Sequence, residues 1–125
     1  MPWELKPDRP IYAQLMEQLE LRVIAGLYPP GSRLPSVREL AAEASVNPNT
    51  MQRALSKLEE EGLLFSQRTS GRFVTDDAGR IKKTRQDFAE KQVRGFLQNM
   101  NRLGYGAEQA ACLLERMIKE ERQNG

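Results

Sequence analysis

Ser36-Val37-Arg38-Glu39-Leu40-Ala41-Ala42-Glu43-Ala44-Ser45-Val46-Asn47-Pro48-Asn49-Thr50-Met51-Gln52-Arg53-Ala54-Leu55-Ser56-Lys57-Leu58 decides the fold. Ser36 and Glu39 have the spacing of a capping box, in which a hydroxyl and a carboxylate each satisfy a free backbone donor at a helix start. Val37, Leu40, Ala41 and Ala44 supply the apolar side of a helix of about nine residues. Ser45-Val46-Asn47 interrupts that pattern, and Asn47-Pro48 restarts it with a capping residue followed by proline at the first helical position. Met51, Ala54, Leu55 and Leu58 then form a second stripe, and Gly62 suits a helix stop. Two helices joined by a tight turn have the order of a helix-turn-helix.

Downstream, Leu63-Leu64-Phe65-Ser66 and Arg72-Phe73-Val74-Thr75 flank the polar segment Gln67-Arg68-Thr69-Ser70-Gly71 and predict a β-hairpin, the wing of such a motif. Upstream, Ile11, Leu15, Leu19 and Val23 are spaced by four and predict a preceding helix, and Arg33-Leu34 before Pro35 leaves room for a short extended piece. Asp76-Asp77-Ala78-Gly79 reads as a break. Beyond it, Ile81 to Leu103 and Ala110 to Ile118 predict two amphipathic helices on either side of Gly104-Tyr105-Gly106. The expected fold is mainly α (α+β), with a winged helix-turn-helix over residues 1–77 and a two-helix dimerisation segment over 78–125.

The chain has 125 residues, 39% hydrophobic and 29% charged, which suits a globular protein of one ordinary domain or a small domain with an appendage. The unbroken apolar run Ala110 to Leu114 is far short of the roughly 20 residues needed to cross a bilayer, and no export signal is seen, so a cytoplasmic location is expected. The single cysteine, Cys112, is expected to be a buried small apolar residue. Without histidine, Ser-His-Asp and Cys-His catalysis and His-ligated metals are excluded, and no metal or cofactor is expected. The net charge of +2 does not announce nucleic-acid binding, so the position of each charge decides.

At about 100° per residue, Asn49, Gln52, Arg53 and Ser56 share the side of their helix opposite the apolar stripe. Amides can bond adenine bidentately and a guanidinium can bond guanine, while Thr50 and Lys57 flank the face toward phosphates. A solvated helix face has the same pattern. Glu60 lies one turn beyond Ser56, so the end of this helix must leave the groove or like-charge repulsion would oppose binding. Arg38 sits in the first turn of its helix, where free N–H groups already favour a phosphate. Arg68 and Arg72 bracket the hairpin tip and can reach a minor groove or backbone, or can protect a sheet edge. Arg80, Lys82, Lys83 and Arg85 form a solvated helix start or a phosphate track.

Several of these segments together resemble the winged-helix domain of GntR-family transcriptional regulators. They are Pro10-Ile11-Tyr12-Ala13-Gln14, Gly31-Ser32-Arg33-Leu34-Pro35-Ser36-Val37-Arg38-Glu39-Leu40-Ala41, Asn47-Pro48-Asn49-Thr50, Arg53-Ala54 and Leu58-Glu59-Glu60-Glu61-Gly62. The match spans about residues 10–74, and Asn47-Pro48-Asn49-Thr50 is similar to the YtrA-type subfamily, whose short two-helix dimerisation segment residues 80–121 resemble. The resemblance implies DNA contacts from Arg38, from Asn47 through Arg53, and from the hairpin tip at Arg68, Ser70, Gly71 and Arg72. Two departures stand out. Thr69-Ser70-Gly71-Arg72 replaces the family's usual Gly-x-Gly-Thr, and Pro48 and Gln52 stand where many members have arginines.

The resulting reading is a homodimeric repressor that binds an inverted-repeat operator in double-stranded DNA, joined through Phe88, Phe96, Leu97, Leu113, Leu114 and Met117. A small-molecule effector is left open. The rival in another class is a winged-helix module that binds a partner protein, which the lack of aromatic or apolar anchors on the reading face disfavours. An enzyme ranks third, because Glu59-Glu60-Glu61 point in different directions and form no paired site.

Overall fold

The computed structural model describes residues 1–124. Among them the order is α1 (Ile11–Ile24), α2 (Val37–Ala44), α3 (Pro48–Glu60), β1 (Leu64–Gln67), β2 (Gly71–Val74), α4 (Ala78–Arg102) and α5 (Ala107–Asn124). The chain divides into two compact units, Met1–Arg85 and Gln86–Gly125.

In the first unit, the Ser36–Glu39 capping box forms as expected. The Glu39 N–H donates to Ser36 Oγ at 3.1 Å and the Ser36 N–H to Glu39 Oε1 at 3.3 Å. Ser45 closes α2 in the left-handed region at φ 57°, which lets α3 start after two residues at Asn47, whose Oδ1 caps the Asn49 N–H at 2.8 Å. Leu15, Leu19 and Val23 of α1, Leu40, Ala41 and Ala44 of α2, and Met51, Ala54, Leu55 and Leu58 of α3 meet in one core. At the end of α3 the Gly62 N–H bonds the Glu59 carbonyl and the Leu63 N–H bonds that of Leu58. Gly62 adopts φ +82°, a conformation that favours glycine, and the turn delivers Leu63 and Leu64 into the core beneath the wing.

The hairpin pairs Leu64 with Val74, Phe65 with Phe73, Ser66 with Arg72, and Gln67 with Gly71. The rings of Phe65 and Phe73 stack with centroids 5.6 Å apart. Arg33 bridges to Phe73 as a short third strand piece, with the Leu34 N–H bonding the Arg72 carbonyl at 2.9 Å. Upstream of α1, residues 1–9 lie along that helix. Gln14, buried, accepts from the Lys6 N–H and donates to the Lys6 and Arg9 carbonyls, while Gln18 brackets the backbone of Glu4 in the same way. Arg22, also buried, stacks 4.0 Å over the Trp3 ring and donates to the Met1 carbonyl.

The polar stretch at 76–79, expected as a boundary near residue 77, is a helix cap. Asp77 Oδ1 accepts from the N–H groups of Gly79 and Arg80, and Ile81 is buried in the first unit's core, so the first turns of α4 belong to that unit. In the second unit the end of α4 and α5 flank Gly104, which turns the chain at φ +89°. Its apolar residues are largely on the surface. Ala110 is its buried hydrophobic residue among those described, and Cys112 is exposed, contrary to expectation, because nothing in the described unit covers that side of α5. No helix is long and apolar enough among the described residues to cross a membrane.

Candidate nucleic-acid interface

The four apolar residues of α3 are sealed at 0–1% exposure, and this fixes the rotation of the helix, so its opposite side must face outward. Asn49, Gln52 and Arg53 are exposed there, with Ser56 half-buried. Asn47 and Lys57 are exposed at the two ends and Thr50 is half-buried. Arg38 is exposed in the first turn of α2, where backbone donors have no intrahelical partner. Arg68 is exposed at the hairpin tip and Ser70 half-buried beside it, held by a turn in which the Ser70 N–H bonds the Gln67 carbonyl. The predicted site residues of the first unit are thus gathered on α2, α3 and the hairpin.

Several of them have partners that the sequence did not reveal. The Arg53 guanidinium lies 3.9 Å over the ring of Tyr12 in α1, a cation–π contact that orients it from below. Lys57 pairs with Glu60 at 3.5 Å, which offsets the acidic charge near the end of the reading face. Arg72, expected to reach DNA from the wing or to protect a sheet edge, is pinned against α3 instead. Its Nε donates to Glu59 Oε1, its Nη1 to Gln52 Oε1 at 3.4 Å, and its side chain is only 16% exposed. Ser66 donates to the same Glu59 oxygen at 2.6 Å. Burial pushes the Glu59 carboxyl up, but the Ser66 hydroxyl and the Arg72 guanidinium outweigh it and hold the group below its ordinary value.

Arg33 was missed as well. A groove of about 380 Å³ separates residues 33–37 from the hairpin and is lined by Arg33, Arg68 and Arg72. Gly71 has φ +103°, and a Cβ there would come within 3.2 Å of Arg33 Nε, so glycine leaves room for that guanidinium. The signal for Arg33 was present in the alternation with buried Leu34, which sends its neighbour outward. Of the basic cluster on α4, Arg80 is half-buried and lies against Gly62, whereas Lys82 and Arg85 are exposed.

In the second unit the residues expected to join two chains are Phe88, Leu97 and Leu113, half-buried, and Phe96, Leu114 and Met117, exposed.

An α-helix with a sealed apolar side and amides and arginine outward, flanked by a wing, is matched over residues 11–74 by the family of bacterial regulatory proteins called gntR. The chain belongs to the GntR family. A relative over nearly its full length is the HTH-type transcriptional repressor YtrA of Bacillus subtilis, 32% identical over 92% of this chain and 86% of that protein. Among solved structures, a GntR family transcriptional regulator from Listeria monocytogenes superposes with a TM-score of 0.81 at 33% identity, covering 90% of this chain and 98% of the other. The DNA-binding domain of AraR, solved in complex with operator ORE1, has a TM-score of 0.52 at 28% identity and covers 60% of this chain and 94% of that one. This GntR-family protein is a transcriptional regulator of YtrA type, built on a winged helix.

Proposed function

We propose that this regulator is a cytoplasmic repressor that binds an inverted-repeat operator as a homodimer, reading bases with α3. The observation that carries the reading is the outward face of Asn49, Gln52 and Arg53 on the first two turns of a helix whose other side is sealed. Arg38 and Arg68, exposed on either side, supply phosphate contacts that hold α3 in the major groove. The operator complex of AraR and the repressor name of YtrA support the same direction. Phe96, Leu114 and Met117 would be covered by a second copy, placing two reading helices about 34 Å apart or at a multiple of that spacing.

The test is operator binding by Asn49→Ala and Arg53→Ala, after footprinting on DNA upstream of the protein's own gene. Loss of a bidentate base contact costs roughly 1–3 kcal/mol, so specific affinity should fall about tenfold or more while affinity for scrambled DNA changes far less. Thermal melts must show both variants folded. If folded variants keep wild-type discrimination, α3 is not the reader, and a partner-protein role gains ground.

A further inference from the structure

Ser66 and Arg72 are directly opposed in the hairpin, so their side chains share one face of it, and both reach Glu59 on α3. Glu59 and Gln52 are two helical turns apart on α3, and Arg72 joins them. A guanidinium has only donors, so the Gln52 amide atom that faces it must be the carbonyl oxygen. The amide NH2 is thereby directed elsewhere, and it makes no hydrogen bond among the described residues.

We propose that Arg72 is a positioning residue for base recognition, holding the Gln52 amide so that it offers its NH2 to the major groove and reads guanine. The inference rests on the DNA-binding reading above. A free glutamine can present oxygen and nitrogen together to adenine, accepting from N6 and donating to N7. With Oε1 turned to Arg72, Gln52 acts as a donor, and guanine presents two acceptors, O6 and N7, at its major-groove edge. Glu59 keeps the guanidinium in place. The arginine in the wing thus contributes to which base is chosen, whereas a phosphate contact would add affinity for every sequence alike.

The experiment is selection from a randomised operator library by the wild type, Gln52→Ala, Arg72→Thr, Arg72→Lys and the double variant Gln52→Ala/Arg72→Thr, with melts recorded for each. Threonine suits a strand, and lysine keeps the charge but lacks the rigid fork needed to hold Glu59 and Gln52 together. The position whose preference disappears in Gln52→Ala should be guanine in the wild type. There, both Arg72 variants should reduce the preference for guanine over adenine by about fivefold or more. In the double variant, Arg72→Thr should add nothing at that position. A wild-type preference for any other base there, no position lost in Gln52→Ala, or an unchanged preference in the Arg72 variants overturns the proposal alone. So does a uniform loss of affinity with the salt slope reduced by about one, which marks a phosphate contact. A wild type that selects no sequence overturns the DNA-binding reading and this proposal with it.

Discussion

Leu15, Leu19, Met51 and Leu55 in the first unit retain at most 1% of their surface, while Val93 and Met117 in the second retain 56% and 55% and Leu114 47%. All of these are apolar residues at helical spacing. Periodicity therefore says which side of a helix must be covered and is silent on what covers it. In residues 1–85 the cover is supplied by α1, α2, α3 and the base of the hairpin; in residues 86–124 Ala110 is covered and Leu97 and Leu113 are half-covered, while Val93, Leu114 and Met117 stay open within the described unit.

The strongest challenge to that contrast is Leu15→Ala, which removes a side chain at 0% exposure and should lower stability by about 2–5 kcal/mol in denaturant titrations. A smaller loss would mean that the core around α1 collapses into the space. Met117→Asp alters a half-exposed residue, so the melt of the first unit should move by less than about 0.5 kcal/mol. If two copies associate through this side as proposed, sedimentation should nevertheless show the variant at a lower mass than the wild type, and an equal mass for both would remove Met117 from the proposed contact. The smallest effect concerns the wing. Because the folded Glu59 carboxyl ionises more readily than an ordinary one, its contribution is fully present above the ordinary glutamate range and disappears as pH falls through its lowered folded value. Glu59→Gln should thus melt slightly below wild type at neutral pH, and the two curves should converge in acid. Parallel curves at all pH values would remove the ion pair from the wing's stability.

Local chemistry was the legible part. The capping box at Ser36 and Glu39, the cap at Asn47, the α3 stripe and the glycine stop at Gly62 depend on residues within a few positions of one another, and the structure has all of them. What escaped was contact across elements. Arg72 and Glu59 are 13 residues apart and meet because the Gly62 turn folds the hairpin back onto α3; Tyr12 meets Arg53 only once α1 and α3 share a core. Sequence pattern marked Arg53 and Arg72 as exposed charges, but their partners depend on packing. Cys112 departs from expectation for another reason: a run of apolar residues predicts burial, and the second unit has no cover for that side of α5.

The two glutamines that hold residues 1–9 have a geometric consequence. Gln14 and Gln18 are one turn apart on α1, a rise of about 6.0 Å, and the backbone groups they bracket, at Lys6 and Glu4, are two residues apart in chain that would advance about 6.6 Å if extended. The two repeats nearly coincide. Each side-chain amide accepts from one N–H and donates to the C=O of the same residue, as a neighbouring strand would, so a helix surface acts as the edge of a sheet. The grip is on peptide groups, which leaves the side chains of Glu4 and Lys6 free to vary. Proline at either position would remove an N–H from the ladder, and glutamate at 14 or 18 would remove the donor that faces it.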